Sequence, residues 1–143
     1  MITDNEAHLI RDKVLRREAA KYDRKLNRRL KSLNRKLARS LGDPVGTSYP
    51  WKPQPETDYS GKPVAPSRFL LNLDHGIQIT VVSKIEYPVS PLELPLATHL
   101  WTWQVRNVVT AESSEELGRP FTCRQLRREY SRLVGIPFIE RLC

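Results

Sequence analysis

The sequence predicts an α+β protein: a long basic N-terminal amphipathic helix, a Pro-rich extended strap, then a small antiparallel sheet with one or two C-terminal helices. Three observations carry this prediction. Leucines recur at helical spacing through the first third of the chain. Six prolines crowd residues 44–66, and apolar residues alternate with polar ones on both sides of an Asp-His-Gly turn. The expected parts are a basic helix within 1–43, an extended linker over 44–66 and a small α+β domain over 67–143.

The helix is the strongest of these signals. Apolar side chains at Leu15, Ala19, Tyr22, Leu26, Leu30, Leu33, Leu37 and Leu41 are spaced by threes and fours, so that Leu15, Leu26 and Leu37 repeat every eleven residues. That period averages about 3.67 residues per turn, close to a straight α-helix, and keeps the stripe on one face for many turns. The pattern predicts a helix over 11–39, with Gly42 followed by Asp43-Pro44 as its stop. From Leu9 to Leu41 it would run roughly 50 Å.

Charge follows the same lattice. The chain has 24 Lys and Arg against 16 Asp and Glu, a net charge of +8. Between Arg11 and Arg39 stand 13 basic residues against Asp12, Glu18 and Asp23, leaving 11 basic and 13 acidic residues elsewhere. A nearly neutral body thus carries a cationic rod. At about 100° per residue, Arg17, Lys21, Arg24, Arg28, Lys31, Arg35 and Arg39 project opposite the leucines, and Lys25, Arg29 and Lys36 flank them. No acidic residue occurs from Arg24 to Arg39. Like charges at i,i+4 cost an isolated helix a few tenths of a kcal/mol each, which a solvated face ordinarily relieves with Glu partners.

A one-signed basic face is the electrostatic footprint of phosphate binding, so these ten cations are the candidate nucleic-acid contacts. RNA is placed ahead of DNA, although the rod offers no evident base-reading element. The plainer reading makes the cations the wet side of a helix packed on something apolar, and the two readings are compatible. Leu15, Tyr22, Leu26, Leu30, Leu33 and Leu37 then form a candidate protein interface for a neighbouring helix. A membrane-surface helix would place Trp or Phe along its apolar edge, and this stripe has one Tyr instead.

From Pro44 to Pro66 the proline density excludes a helix or central strand and predicts a semi-rigid strap of polyproline-II character. Tyr49, Trp51 and Tyr59 lie within it as candidate anchors, either for a partner or for nucleobases; the strap could equally be a spacer. Beyond it, Phe69, Leu71 and Leu73 alternate with polar residues, Asp74-His75-Gly76 supplies a turn, and Ile77, Ile79 and Val81 alternate with Gln78 and Thr80. Pro88, Pro91 and Pro95 break the next stretch, with Leu92, Leu94 and Leu96 expected to face inward. A further strand over His99–Val109 puts Trp101, Trp103 and Val105 on one face, more as core than as a base-stacking platform. Thr122 with Gln125 forms a capping box for a last helix, whose apolar face is Leu126, Tyr130 and Leu133 and which Gly135 closes. Its arginines read as a solvated face. Ile136–Cys143 is a short apolar tail.

Catalytic and metal motifs do not occur: there is no Gly-rich phosphate loop, H-E-x-x-H, C-x-x-C or G-x-S-x-G. Cys123 and Cys143 match no zinc spacing and fit reduced thiols. His75, His99 and Lys84 could be assembled into an acid–base ribonuclease site, but any small protein with three histidines permits such a construction. No cofactor or small-molecule substrate is implied. The N-terminus lacks a secretory leader and no run spans a bilayer, so a soluble intracellular protein is expected, free or inside a particle. The expectation is a non-enzymatic structural component of a large nucleoprotein assembly, ribosome-like or virion. The alternative is a protein-binding module that pairs with a partner helix through its leucines.

Overall fold

The computed structural model describes residues 3–86 and 98–134. Its elements are α1 (Asp4–Leu41), β1 (Lys52–Pro53), β2 (Glu56–Thr57), β3 (Pro63–Val64), β4 (Arg68–Asn72), β5 (Ile77–Glu86), β6 (Thr98–Asn107) and α2 (Cys123–Val134). The α+β class is therefore observed, with a long N-terminal helix, a small antiparallel sheet and a C-terminal helix. The segment around Pro88, Pro91 and Pro95, with Leu92, Leu94 and Leu96, lies outside the described residues, as do Gly135 and Ile136–Cys143.

Helix α1 has 38 residues and begins seven residues before the leucine lattice would place it. Its start is fixed by a capping box: the Glu6 amide donates to Thr3 Oγ1 (3.2 Å), and the Thr3 amide donates to a Glu6 carboxylate oxygen (3.4 Å). Asp4 and Glu6 also complement the positive end of the helix dipole. At the other end Gly42 adopts φ 71°, ψ 21°, a left-handed cap that a side chain would disfavour.

Strands run in the order β1-β4-β5-β6, all antiparallel, with β2 and β3 forming a separate two-stranded hairpin. The register pairs Phe69 with Val81, Leu71 with Ile79, Ile79 with Val105 and Val81 with Trp103. One face is thereby mainly apolar, with Asn107 and Ser83 at its ends, and the other carries Asn72, Gln78, Thr80, Gln104 and Arg106. Against the apolar face pack Leu33 and Leu37 of α1 and Leu126, Tyr130 and Leu133 of α2, in a single core with Trp51 and Phe121. Each fully buried leucine contributes about 1.5–3 kcal/mol relative to exposure. Trp103 lies in this core, and Trp101 packs at its margin with its ring 5.8 Å from that of Phe69.

Polar pins fix the outer parts. Residues 112–117 run beside β6, exchanging backbone hydrogen bonds between Trp103 and Leu117 (2.7 and 2.9 Å), so this stretch of the β6 edge is paired rather than open. Asn107 donates to the Leu133 carbonyl (3.2 Å) near the end of α2. The predicted capping box of α2 is present, with the Gln125 amide on Thr122 Oγ1 (3.2 Å) and the Thr122 amide on Gln125 Oε1 (3.0 Å).

The proline-rich segment is where expectation and structure differ most. It is neither a free strap nor a spacer. Trp51 is 7% exposed and meets Trp103 edge-to-face at 5.8 Å. Next to it, β1 adds to the edge of the sheet, the one place where Pro53 costs no ladder bond. Glu56–Thr57 and Pro63–Val64 then fold into the β2–β3 hairpin, closed by a turn at Asp58–Gly61.

Candidate nucleic-acid interface

Two contacts bind the β2–β3 hairpin along one flank of α1. Near the root of the hairpin, Arg29 Nη1 donates to the carbonyls of Ala65 (2.9 Å) and Pro66 (2.5 Å). Towards its tip, Lys62 Nζ reaches Glu18 (2.9 Å). Glu18 and Arg29 stand eleven residues apart, the period that returns α1 to the same face after three turns. Arg29 is consequently a structural clamp, its Nη1 shared between two backbone oxygens of the hairpin. Glu56 holds the base of the hairpin, accepting from the Ser67 amide (2.9 Å) and hydroxyl (2.7 Å). The Ser67 hydroxyl is the main cause, and its amide the second, of a Glu56 carboxyl held below the usual carboxylate range.

The tip is equally well tied. Asp58 Oδ1 accepts from the Ser60 amide (2.9 Å), the Ser60 hydroxyl (2.6 Å) and the Lys62 amide (3.0 Å). On this organised turn Tyr59 is fully exposed. The other candidate anchors serve the chain itself. Trp51 is in the core, and Tyr49 is half-buried, its hydroxyl bonded to Asp43 and its amide to Asn34 of α1 (3.2 Å). Burial, then the Asp43 hydrogen bond, raises the Tyr49 phenol far above its ordinary value.

The leucine stripe divides in two. Leu33 and Leu37 are fully buried, and Leu26, Leu30 and Leu41 pack on the same core, so their surface is taken by the chain's own sheet. A partner helix has no access to Leu33 or Leu37. Towards the N-terminus Leu15 is 56% exposed and Leu9 62%, and Tyr22 is half-buried beside the hairpin.

Charge divides at the same place. Asp4, Glu6, Asp12, Glu18 and Asp23 balance Arg11, Lys13, Arg16, Arg17 and Lys21, whereas residues 24–39 hold eight cations and no acid. The cationic half is the one seated on the body. Opposite the buried leucines, Arg24, Arg28, Lys31, Arg35 and Arg39 are exposed one turn apart, with Lys25 exposed and Lys36 half-buried at their flank. Arg17 and Lys21 extend the exposed row towards the N-terminus. Among the described residues none of these cations takes part in an ion pair. The result is a positively charged ridge braced from behind, with its charge uncompensated among the described residues.

Elsewhere the chemistry is sparse. His75 occupies a left-handed turn position (φ 60°, ψ 31°) beside Tyr130, and Lys84 is paired with Glu116 at 2.7 Å. The two lie at opposite ends of β5, about 30 Å apart at a strand rise near 3.3 Å per residue, so the His75–Lys84 acid–base constellation does not assemble. On α2, Arg132 is held by Glu129 (2.7 and 2.9 Å) and the Ser113 carbonyl (3.3 Å), which fits a solvated face. Among the described residues no helix is long and apolar enough to cross a membrane. No family model matches the chain, and no curated relative or solved structure matches it.

Proposed function

We propose that this protein is a non-enzymatic nucleic-acid-binding component of a larger assembly, which engages phosphates through the braced ridge of α1. The single observation behind this reading is the row Arg24, Arg28, Lys31, Arg35 and Arg39, exposed, one-signed and without a carboxylate partner among the described residues. Holding so many like charges on one face is unfavourable unless a polyanion neutralises them, and counterion release then makes association favourable at low salt. Phosphate contacts of this kind position a nucleic acid without reading its sequence. The exposed, charge-balanced N-terminal half of α1 remains open for a neighbouring protein.

A mobility-shift titration with mixed RNA and with duplex DNA, beside light scattering of the free protein, tests the reading. A shift at low salt that weakens steeply as salt is raised is the expected result. Absence of any shift, together with a defined oligomer of the free protein, would instead favour a protein-binding module that associates through Leu9 and Leu15.

A further inference from the structure

Between the two clamps, α1 and the hairpin enclose an open groove of about 870 Å³. Its floor is apolar: Leu15, Ala19 and Tyr22 from the helix, Pro63, Val64 and Ala65 from the hairpin. Its rim is basic on the helix side, with Lys21, Arg24, Lys25 and Arg28, while Lys62 on the hairpin side is paired with Glu18. Of the two carboxylates present, Glu18 is already neutralised by Lys62, leaving Asp23. The volume lies in the range of pockets that take nucleotide-sized ligands. An apolar floor with an aromatic ring under a cationic rim matches single-stranded nucleic acid, whose bases seek π-faces and whose phosphates seek cations. A duplex hides its bases and could meet only the rim.

We propose that the groove between α1 and the β2–β3 hairpin holds unpaired bases of a single-stranded nucleic acid, one of them stacked on Tyr22. The site rests on the phosphate-binding reading of the ridge and adds strand selectivity to it. Lys21, Arg24, Lys25 and Arg28 belong to both ridge and groove, so a strand lying on the ridge delivers its bases to the floor. The exposed ring of Tyr59 stands on the same hairpin, at the tip, as a second stacking surface.

The test uses the full chain with a mixed-sequence single-stranded RNA carrying one 2-aminopurine, beside an RNA duplex with the same number of phosphates. Wild type is expected to quench the 2-aminopurine on binding and to prefer the single strand. Tyr22→Ala is expected to lose about tenfold in single-strand affinity, the share of one stacked base, with duplex affinity unchanged. Tyr22→Phe keeps the ring and should retain both affinity and quenching, and circular dichroism of both variants should be that of the wild type. Equal loss on both probes, or no loss on either, would overturn the base-binding site. So would an oligomer that Tyr22→Ala abolishes while RNA binding persists, since the groove would then be filled by a second copy. Failure of the underlying reading is distinguishable: Lys31→Gln with Arg35→Gln, on the ridge but outside the groove, would then leave binding of both probes untouched.

Discussion

Arg29 and Arg28 are neighbours in sequence with opposite fates. One donates to two backbone carbonyls and the other stands in solvent. Arg29→Gln should therefore destabilise the fold by about 1–3 kcal/mol, because it leaves part-buried carbonyls without their charged donor. It should leave the salt dependence of nucleic-acid binding as in the wild type. Urea unfolding together with a salt titration checks both halves, and a stability unchanged by the substitution would show that the clamp is dispensable. Trp51 gives a second residue-scale case. Its ring packs on Trp103, yet among the described residues its buried indole N–H has no hydrogen-bond partner. Trp51→Phe keeps an aromatic contact and removes the orphan donor, so it should be far milder than Trp51→Ala, expected at about 3–5 kcal/mol in thermal or urea unfolding. Equal losses would place the cost elsewhere than in the ring.

At the scale of elements, α1 is two helices in energetic terms. Its C-terminal half is a core element: Leu33→Ala or Leu37→Ala should cost about 2–5 kcal/mol. Leu15→Ala, on the exposed half, should stay within about 0.5 kcal/mol, and denaturant midpoints separate the two cases. The β2–β3 hairpin responds to pH through Glu56. Its folded pKa lies below the unfolded one, so its contribution is present above the ordinary carboxylate range and is lost as pH falls through the folded value. The group is largely exposed and the effect correspondingly small. A carboxyl NMR titration should place the Glu56 midpoint below that of an unstructured glutamate, and an ordinary midpoint would mean that the Ser67 contacts are not kept in solution. These elements were unequally legible. The leucine lattice and the alternation around Asp74–Gly76 extend over enough residues for a period to show. The hairpin did not show, because two-residue strands have no alternation and prolines at 55 and 63 suppress the strand signal. The early start of α1 lay in Thr3 and Glu6, a capping box hidden in what reads as an acidic leader. Periodicity revealed that the leucines share a face but not what covers it, and the clamp role of Arg29 needed the hairpin to be seen.

For the whole molecule, the sheet, α2 and the proline-rich segment together form a platform for one half of one helix. Trp51 and the hairpin clamps hold the basic ridge in place, so its cations are presented at fixed spacing rather than on a mobile tail, which lowers the ordering cost of binding. The ridge functions as proposed only if Arg24, Arg28, Lys31 and Arg35 neutralise phosphates. The most direct test is the slope of log affinity against log salt for a single-stranded RNA, measured for wild type and for the variant with all four changed to Gln. Each lost phosphate contact should flatten the slope by about 0.7, so the variant should bind more weakly with a slope reduced by roughly 3. An affinity and a slope equal to those of the wild type would contradict the claim.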